Sequence, residues 1–219
     1  MVDLINEELL RLEQEQDIKI LYAVESGSRA WGFASTDSDW DVRYIYIHKT
    51  DWYLSVNEQK DSYEEILPND IDLSGWELRK ALLLFKKSNP PMLEWLNSPI
   101  VYKEDYSTAQ SLRSMLQTYF RPKSCIYHYL HMARKNYSQY ILKDTVRHKK
   151  YFYVLRPVLA CRWIEEKGTM APVEFEVLLN EFLPNGPVRD EVDKLLVKKT
   201  AGGEMDEGPP IILLNDYLS

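Results

Sequence analysis

Cysteine and long apolar runs are both scarce in this chain of 219 residues. Cys125 and Cys161 are its two cysteines, and they lie in apparently helical sequence without the spacing of metal ligands. We expect them to be buried thiols in a reducing compartment. No apolar run approaches the length of a membrane span, and the first residues lack the basic and apolar regions of a signal peptide. Together these absences predict a cytoplasmic protein with no membrane partner.

An excess of positive charge is also missing. The chain carries a net charge of −7, which argues against a protein whose surface is covered with cations for DNA binding. The sequence contains no Ser-His-Asp grouping, no cysteine nucleophile and no zinc-binding pattern. Its apolar fraction of 45% and aromatic fraction of 12% indicate an ordered globular protein, long enough for one sizeable core or two small domains.

A glycine turn followed by two aspartates is the most informative pattern that is present. An apolar run over residues 18–24 leads into Gly27 and Ser28, and Asp39 and Asp41 follow. This order predicts a strand, a tight turn that opens a short helix, and a second strand with both carboxylates on one face. Like charges so close are costly unless a cation lies between them, and Mg²⁺ prefers such hard oxygen ligands. Because backbone N–H groups at the turn suit phosphates, the pattern indicates metal-assisted phosphoryl or nucleotidyl transfer.

Three blocks of sequence carry a resemblance to a known family. Residues 25–43 resemble the Gly-Ser and Asp-x-Asp signature of the DNA polymerase β nucleotidyltransferase superfamily. That block, together with residues 74–81 and 89–99, is similar to a bacterial family of predicted nucleotidyltransferases, some of which are associated with RNA ligases in RNA repair. Each short motif alone also suits an ordinary cap or turn, but the three blocks in order indicate the family. The resemblance covers the first half of the chain well and the second half loosely.

A third acid is expected beside Asp39 and Asp41, because two catalytic metal ions usually require more than two carboxylates. The candidates are Asp61, Glu64, Glu65, Asp70 and Asp72. Asp72 is preferred since its apolar neighbours place it in a short strand, and Asp70, on the same face, is the reserve. The resemblance also implies a third acid on a later strand of hydrophobic-Asp-hydrophobic character. We predict Asp39, Asp41 and Asp72 as the catalytic, metal-binding residues of a two-metal-ion site for Mg²⁺, or alternatively Mn²⁺.

Six residues are predicted to bind the nucleotide: Gly27, Ser28, Arg43, Lys149, Tyr153 and Arg156. Arg43 shares the face of Asp41, where its planar guanidinium suits either a phosphate oxygen or an ion pair with an aspartate. Lys149, Tyr153 and Arg156 fall on one face if this part of the chain is a single helix. They suit a nucleotide-binding stripe or, equally, a surface with a half-buried tyrosine. The resemblance supports the stripe, since lysines and tyrosines of the helical region hold nucleotides in related transferases.

Positive charge is concentrated in residues 113–156. This segment holds five arginines, five lysines and one acid, Asp144, so its net charge is +9 and the rest of the chain carries −16. Seven of the fifteen tyrosines also fall within it. A basic, tyrosine-rich half and an acidic catalytic half suit an anionic substrate, although a solvated helix face with core tyrosines explains part of the pattern.

Strand signals concentrate in the first half of the chain and helix signals in the second, which predicts an α+β fold. We expect a small mixed β-sheet nucleotidyltransferase core over residues 1–104 and a helical substrate- and nucleotide-binding region over residues 105–219. Ser74 and Glu77 fit a capping box that starts a helix ending near Lys87. Further helices are predicted at 3–16, 105–119, 123–142, 147–167, 172–182 and 187–199, and strands at 18–24, 42–47 and 71–73.

The sequence therefore predicts a nucleotidyltransferase that moves a nucleoside monophosphate from a triphosphate such as ATP to an acceptor. An RNA end is the favoured acceptor, on the resemblance to RNA-repair members and on the basic, tyrosine-rich segment. The alternatives are AMP transfer to a protein or to a small-molecule hydroxyl, and a nucleotide-binding module without turnover. Clustered carboxylates argue against the last alternative, because a binding module does not need them.

Overall fold

The computed structural model describes residues 1–202 and 207–219. The chain forms two compact units, the first made of residues 1–30 and 39–120, the second of residues 31–38 and 121–219. Within the described ranges, no helix combines the length and the apolar character needed to cross a bilayer.

A five-stranded mixed sheet lies in the first unit. Its strands are β1 (Ile18–Glu25), β2 (Trp40–His48), β3 (Ser62–Leu67), β4 (Ile71–Glu77) and β5 (Val101–Glu104). They lie in the order β3-β4-β2-β1-β5; β2 and β4 run parallel, and the other neighbouring pairs run antiparallel. The expected α+β fold with a small mixed sheet is confirmed, and β1 and β2 lie where the sequence predicts them.

Helix α1 (Val2–Glu15) packs against this sheet. Ile5, Leu9 and Leu12 recur at helical spacing, are buried, and share one core cluster with Ile20 of β1 and Val42 of β2. Burying one such aliphatic side chain contributes roughly 1.5–3 kcal/mol. The helix predicted at 3–16 is confirmed, and its packing supports the two strands that lead into and out of the glycine turn.

The start of the next long helix differs from the prediction. Besides α1, the helices described in the first unit are α2 (Gly27–Ala30), α3 (Thr50–Tyr53), α4 (Leu78–Lys86), α5 (Pro90–Leu96) and α6 (Thr108–Tyr119). The capping box at Ser74 is wrong, because β4 continues to Glu77 and α4 begins after it. Ser74 instead pairs with Arg43 of β2 and Glu64 of β3, so ladder hydrogen bonds on two sides outweigh a local cap. Glu77 is the N-cap, and its side chain accepts from the N–H of Arg79 at 2.6 Å.

The second unit is mostly helical, as expected. Its helices are α7 (Pro122–Asn136), α8 (Phe152–Lys167), α9 (Phe175–Phe182), α10 (Pro187–Thr200) and α11 (Ile212–Leu218). A π-helical turn (Tyr137–Ile141) follows α7, a 3₁₀ turn (His148–Tyr151) precedes α8, and β6 (Val146–Arg147) pairs with β7 (Glu207–Gly208). Helix α8 ends at Lys167, and its C-cap Gly168 has a φ of +70°, which favours glycine. Cys125 in α7 and Cys161 in α8 are buried, which confirms the expected burial.

The functional division at residues 1–104 and 105–219 stays a prediction. Helix α6, which begins after residue 104, is part of the first compact unit, and residues 31–38 are part of the second.

Candidate active site

Asp41 and Asp72 lie side by side on neighbouring parallel strands. They are paired in the register of β2 with β4, two residues before Arg43 pairs with Ser74 on the same face of the sheet. Nη2 of Arg43 donates to Oδ1 of Asp41 and to Oδ2 of Asp72, each at 2.8 Å. Nη1 of Arg43 donates to the carbonyl oxygen of Asp72, also at 2.8 Å. One arginine therefore holds two carboxylates together, so the ion-pair interpretation of Arg43 describes this structure.

The surroundings of Asp41 disfavour its ionised form. Burial raises the pKa of the Asp41 carboxyl above its ordinary value; Arg43 lowers this pKa, and the negative charges of Asp72 and Asp39 raise it further. A second positive charge beside Asp41 would stabilise its carboxylate. A cation at this place is what the sequence predicted from the clustered acids.

Gly27 lies directly against the carboxylate of Asp41. A Cβ atom at residue 27 would stand 1.9 Å from Oδ2 of Asp41, and the φ of +58° is in the left-handed region that favours glycine. The N–H of Ser26 donates to the carbonyl oxygen of Asp41 at 2.8 Å, which fixes the turn beside this strand. Helix α2 begins at Gly27 and is a single turn in which Ser28 is half-buried. Phosphate binding by Gly27 and Ser28 stays a prediction.

A buried carboxylate beside Asp41 was missed by the sequence analysis. Glu25 ends β1 with 0% exposure, and its Oε1 accepts from the N–H of Asp41 at 2.7 Å. Its Oε2 accepts from the hydroxyl of Tyr102 on β5. Burial raises the pKa of Glu25, while the bond from Tyr102 lowers it. The sequence signal that could have identified Glu25 is its position directly after the apolar run over residues 18–24. An acid at the end of a buried strand needs hydrogen-bond partners, because a buried carboxylate is otherwise costly.

The remaining predicted acids occupy different positions. The prediction that Asp39 lies on the same strand as Asp41 is wrong, because β2 begins at Trp40. Asp39 is exposed, and its carbonyl oxygen accepts from Nε of Arg29 at 3.1 Å. The Arg29 guanidinium lies over the ring of Trp40, 3.7 Å from its centroid. Asp70 has a φ of +56° in the turn before β4, so it does not share the strand face of Asp72. Asp72 is therefore the acid that the sheet places beside Asp41.

The paired carboxylates suit a hard cation such as Mg²⁺. Both contact the same guanidinium nitrogen of Arg43, so both reach one point of positive charge. Across residues 1–202 and 207–219, however, no group of three or more His, Cys, Asp or Glu side chains has metal-binding geometry. The pair Asp41 and Asp72 fits a cation, and the three-acid metal set with Asp39 stays a prediction.

Lys149, Tyr153 and Arg156 do not share a helix face. Lys149 is exposed in the 3₁₀ turn, whereas Tyr153 and Arg156 belong to α8, which begins after that turn. Arg156 is 2% exposed; its Nη2 donates to the carbonyl oxygen of Val173 at 3.2 Å, and its guanidinium lies 4.8 Å from the ring centroid of Trp31. The expected shared face is wrong because the helix starts later than predicted and Arg156 packs into the core of its unit. Nucleotide binding by these residues stays a prediction.

A family model described as "RNA repair pathway DNA polymerase beta family" matches residues 1–219. This chain belongs to that family. The match confirms the resemblance carried by the three sequence blocks and extends it through the second half of the chain. Membership of the RNA repair pathway DNA polymerase beta family supports a nucleotidyltransferase role in an RNA repair pathway.

Similar proteins are found among curated sequences and solved structures. A Bacillus subtilis (strain 168) protein, named "Uncharacterized protein YcgL", is 50% identical over 214 residues, which are 98% of this chain and 82% of that protein. A solved nucleotidyltransferase-like protein from Exiguobacterium sibiricum 255-15 is 13% identical, with a TM-score of 0.36 over 88% of this chain and 72% of that chain. The family assignment rests on the family match, not on this distant structural likeness.

Proposed function

We propose that this protein is a magnesium-dependent nucleotidyltransferase that moves a nucleoside monophosphate from a nucleoside triphosphate to an RNA end. One observation carries the proposal: Asp41 and Asp72 lie in register on parallel strands, each 2.8 Å from Nη2 of Arg43. The close approach of Gly27 to Asp41 adds a backbone turn directly beside this pair. The family match supplies the RNA repair context.

In this proposal, different residues of the site bind the metal ion and the triphosphate. Asp41 and Asp72, with Asp39 as the third acid, would hold Mg²⁺ or Mn²⁺, which when bound stabilises negative charge on the attacking and leaving oxygens. Gly27 keeps backbone and carboxylate close, and the N–H groups of the turn that begins there bind a triphosphate oxygen. Arg43 offsets part of the negative charge of the acid pair in the metal-free protein, and its guanidinium donates to a phosphate oxygen in the substrate complex.

During the transfer, one bond to the α-phosphorus forms and another breaks. A hydroxyl oxygen of the acceptor bonds to the α-phosphorus, the bond from that phosphorus to the bridging oxygen breaks, and pyrophosphate leaves. The hydroxyl proton passes to a carboxylate. Asp72 suits this role, because 36% of its side chain is exposed against 28% for Asp41.

Labelling with each α-³²P nucleoside triphosphate, in the presence of Mg²⁺ and a cell extract, tests the chemistry and the acceptor together. Label on RNA, with release of pyrophosphate, supports the proposal. Label on a polypeptide or on a small molecule supports the alternative acceptors instead. Nucleotide that binds without pyrophosphate release identifies a binding module. Transfer that persists in excess chelator contradicts metal dependence.

A further inference from the structure

Several lysines of the second unit, Lys143, Lys149 and Lys150 among them, have no acidic partner within the described residues. Lys143, Lys149 and Lys150 form no ion pair there, whereas Nε of Arg147 lies 2.6 Å from Oε1 of Glu207. Like charges gathered without counter-charges create a positive potential that attracts an anion. This cluster belongs to the +9 segment over residues 113–156.

Lys150 lies between two tyrosine rings. Its Nζ is 4.1 Å from the ring centroid of Tyr140 and 4.9 Å from that of Tyr153. Burial lowers the pKa of Lys150, and the positive charges of Lys149 and Arg147 lower it further. Its three N–H donors have no hydrogen-bond acceptor in the described part of the chain. The ammonium therefore lies between two aromatic rings, and no described residue occupies its donors.

The two rings differ in how they are supported and exposed. Tyr153 is 43% exposed, and the ring of Trp31 packs edge-on against it at a centroid distance of 5.6 Å. Tyr140 is half-buried in the π-helical turn, a local irregularity that is frequent at functional sites. A supported aromatic ring with a solvent-exposed surface next to an available cation offers both a stacking surface and a phosphate contact.

We propose that Tyr140, Lys150 and Tyr153 form a platform for the single-stranded end of the RNA acceptor, with a base stacked on Tyr153 and its phosphate bonded to Lys150. This inference rests on the proposed function, because it names where that acceptor binds. An exposed aromatic ring beside lysines suits a nucleic acid better than an acidic peptide, since every base offers a planar face for stacking. A single strand is favoured because its bases are free to leave the stack, whereas those of a duplex are not.

Fluorescence anisotropy with a short 5′-labelled single-stranded RNA tests the platform in the full chain, without triphosphate or metal. Tyr153→Ala should raise the Kd about tenfold, within the range for losing one stacked base. Tyr153→Phe keeps the ring and should bind like the wild type. Lys150→Ala should also weaken binding and reduce the slope of log affinity against log salt by roughly 0.7.

A double variant in α7 provides the matched control. Lys123 and Tyr127 are exposed one helical turn apart in the same +9 segment. Lys123→Ala with Tyr127→Ala therefore removes the same charge and the same ring as Lys150→Ala with Tyr153→Ala. If the platform binds RNA, Lys150→Ala with Tyr153→Ala should cause a large loss of RNA affinity, and Lys123→Ala with Tyr127→Ala a small one. Equal losses would show general attraction to a basic surface and overturn the proposal.

Two further measurements test base stacking and distinguish RNA from ATP as the molecule that the platform binds. An abasic RNA of the same length should bind more weakly than the base-bearing RNA and should not respond to Tyr153→Ala; equal binding of both RNAs overturns the stacking assignment. In Tyr153→Ala, RNA affinity should fall by a larger factor than ATP affinity. An ATP loss as large as the RNA loss, or one confined to ATP, would assign the ring to the triphosphate, as the sequence predicted, and overturn the platform.

The inference and the proposed function can fail separately. Pyrophosphate release with an acceptor other than RNA, together with no RNA binding, overturns the platform and leaves nucleotidyl transfer standing. RNA binding that depends on Lys150 and Tyr153, in a protein that releases no pyrophosphate with any triphosphate, supports the platform and overturns the proposed function.

Discussion

The side-chain Oε1 of Glu25 accepts a hydrogen bond from the backbone N–H of Asp41 at 2.7 Å. The carbonyl oxygen of Asp41 accepts from the N–H of Ser26 at 2.8 Å, so the backbone on both sides of this aspartate is tied to the end of β1. Tyr102 holds the other oxygen of Glu25. The position of a proposed metal ligand therefore depends on a buried network beneath the candidate site.

Removing the Tyr102 hydroxyl should weaken this network. We expect Tyr102→Phe to lower the free energy of unfolding by about 1–3 kcal/mol, because a buried carboxylate loses a hydrogen bond. Urea denaturation measures the change. Tyr106→Phe is the control, since Tyr106 is 80% exposed and should change stability by less than about 0.5 kcal/mol. Equal effects of the two substitutions would show that the Glu25 contact contributes no stability.

Alanine variants of Gly27 and Gly32 distinguish backbone strain from a steric clash at the candidate site. Both have positive φ, +58° and +89°, but a Cβ atom at Gly27 would meet Asp41 at 1.9 Å, whereas one at Gly32 would meet nothing within 4 Å. Both alanine variants carry the backbone cost of roughly 1–2 kcal/mol. Only Gly27→Ala should reduce pyrophosphate release, by about tenfold or more, because small displacements of catalytic groups are costly. Steady-state assays of both folded variants decide this, and equal activities would contradict the close approach.

Two buried tyrosines should differ in how the loss of their hydroxyls changes stability. The hydroxyl of Tyr22 donates to the carbonyl oxygen of Trp95 at 3.0 Å, whereas that of Tyr44 is buried without a partner in the described residues. We expect Tyr22→Phe to lower the free energy of unfolding by about 1 kcal/mol and Tyr44→Phe to leave it unchanged or raise it. Denaturation curves test the pair, and a destabilised Tyr44→Phe would reveal a partner for that hydroxyl.

The cysteines should be unreactive in the folded protein. Burial raises the pKa of Cys161 to about 12, so almost none of its thiol is ionised at pH 8. Since the unfolded thiol ionises near its ordinary pKa of 9, stability should fall as pH rises from about 9 to about 12. Iodoacetamide at pH 8 should modify Cys125 and Cys161 slowly in the native protein and rapidly in denaturant. Rapid labelling of the native protein would contradict their burial.

Much of the candidate site was predictable because it depends on local patterns. The apolar run over residues 18–24 predicts β1, and the period of two along β2 places Asp41 and Arg43 on one face. The apolar neighbours of Asp72 likewise predict a strand position. Periodicity therefore identified the strand positions of the two acids and of Arg43.

Long-range pairing explains what was missed. β4 extends to Glu77 because β2 and β3 pair with it on both sides, which no local signal at Ser74 reveals. Tyr102 reaches Glu25 only because β5 pairs with β1 across a long stretch of sequence. The predicted helix face shared by Lys149, Tyr153 and Arg156 was wrong because the 3₁₀ turn before α8 interrupts the helical spacing.

Transfer of an α-labelled nucleotide to RNA by single-acid variants tests the central claim most directly. Asp41→Asn and Asp72→Asn should each lower the transfer rate by about 100-fold or more, equivalent to roughly 2.7 kcal/mol of transition-state stabilisation, with circular dichroism unchanged. Asp51→Asn, at an exposed acid in α3, should keep the wild-type rate. If Asp41→Asn and Asp72→Asn transfer label as fast as the wild type, the paired carboxylates are not the catalytic centre.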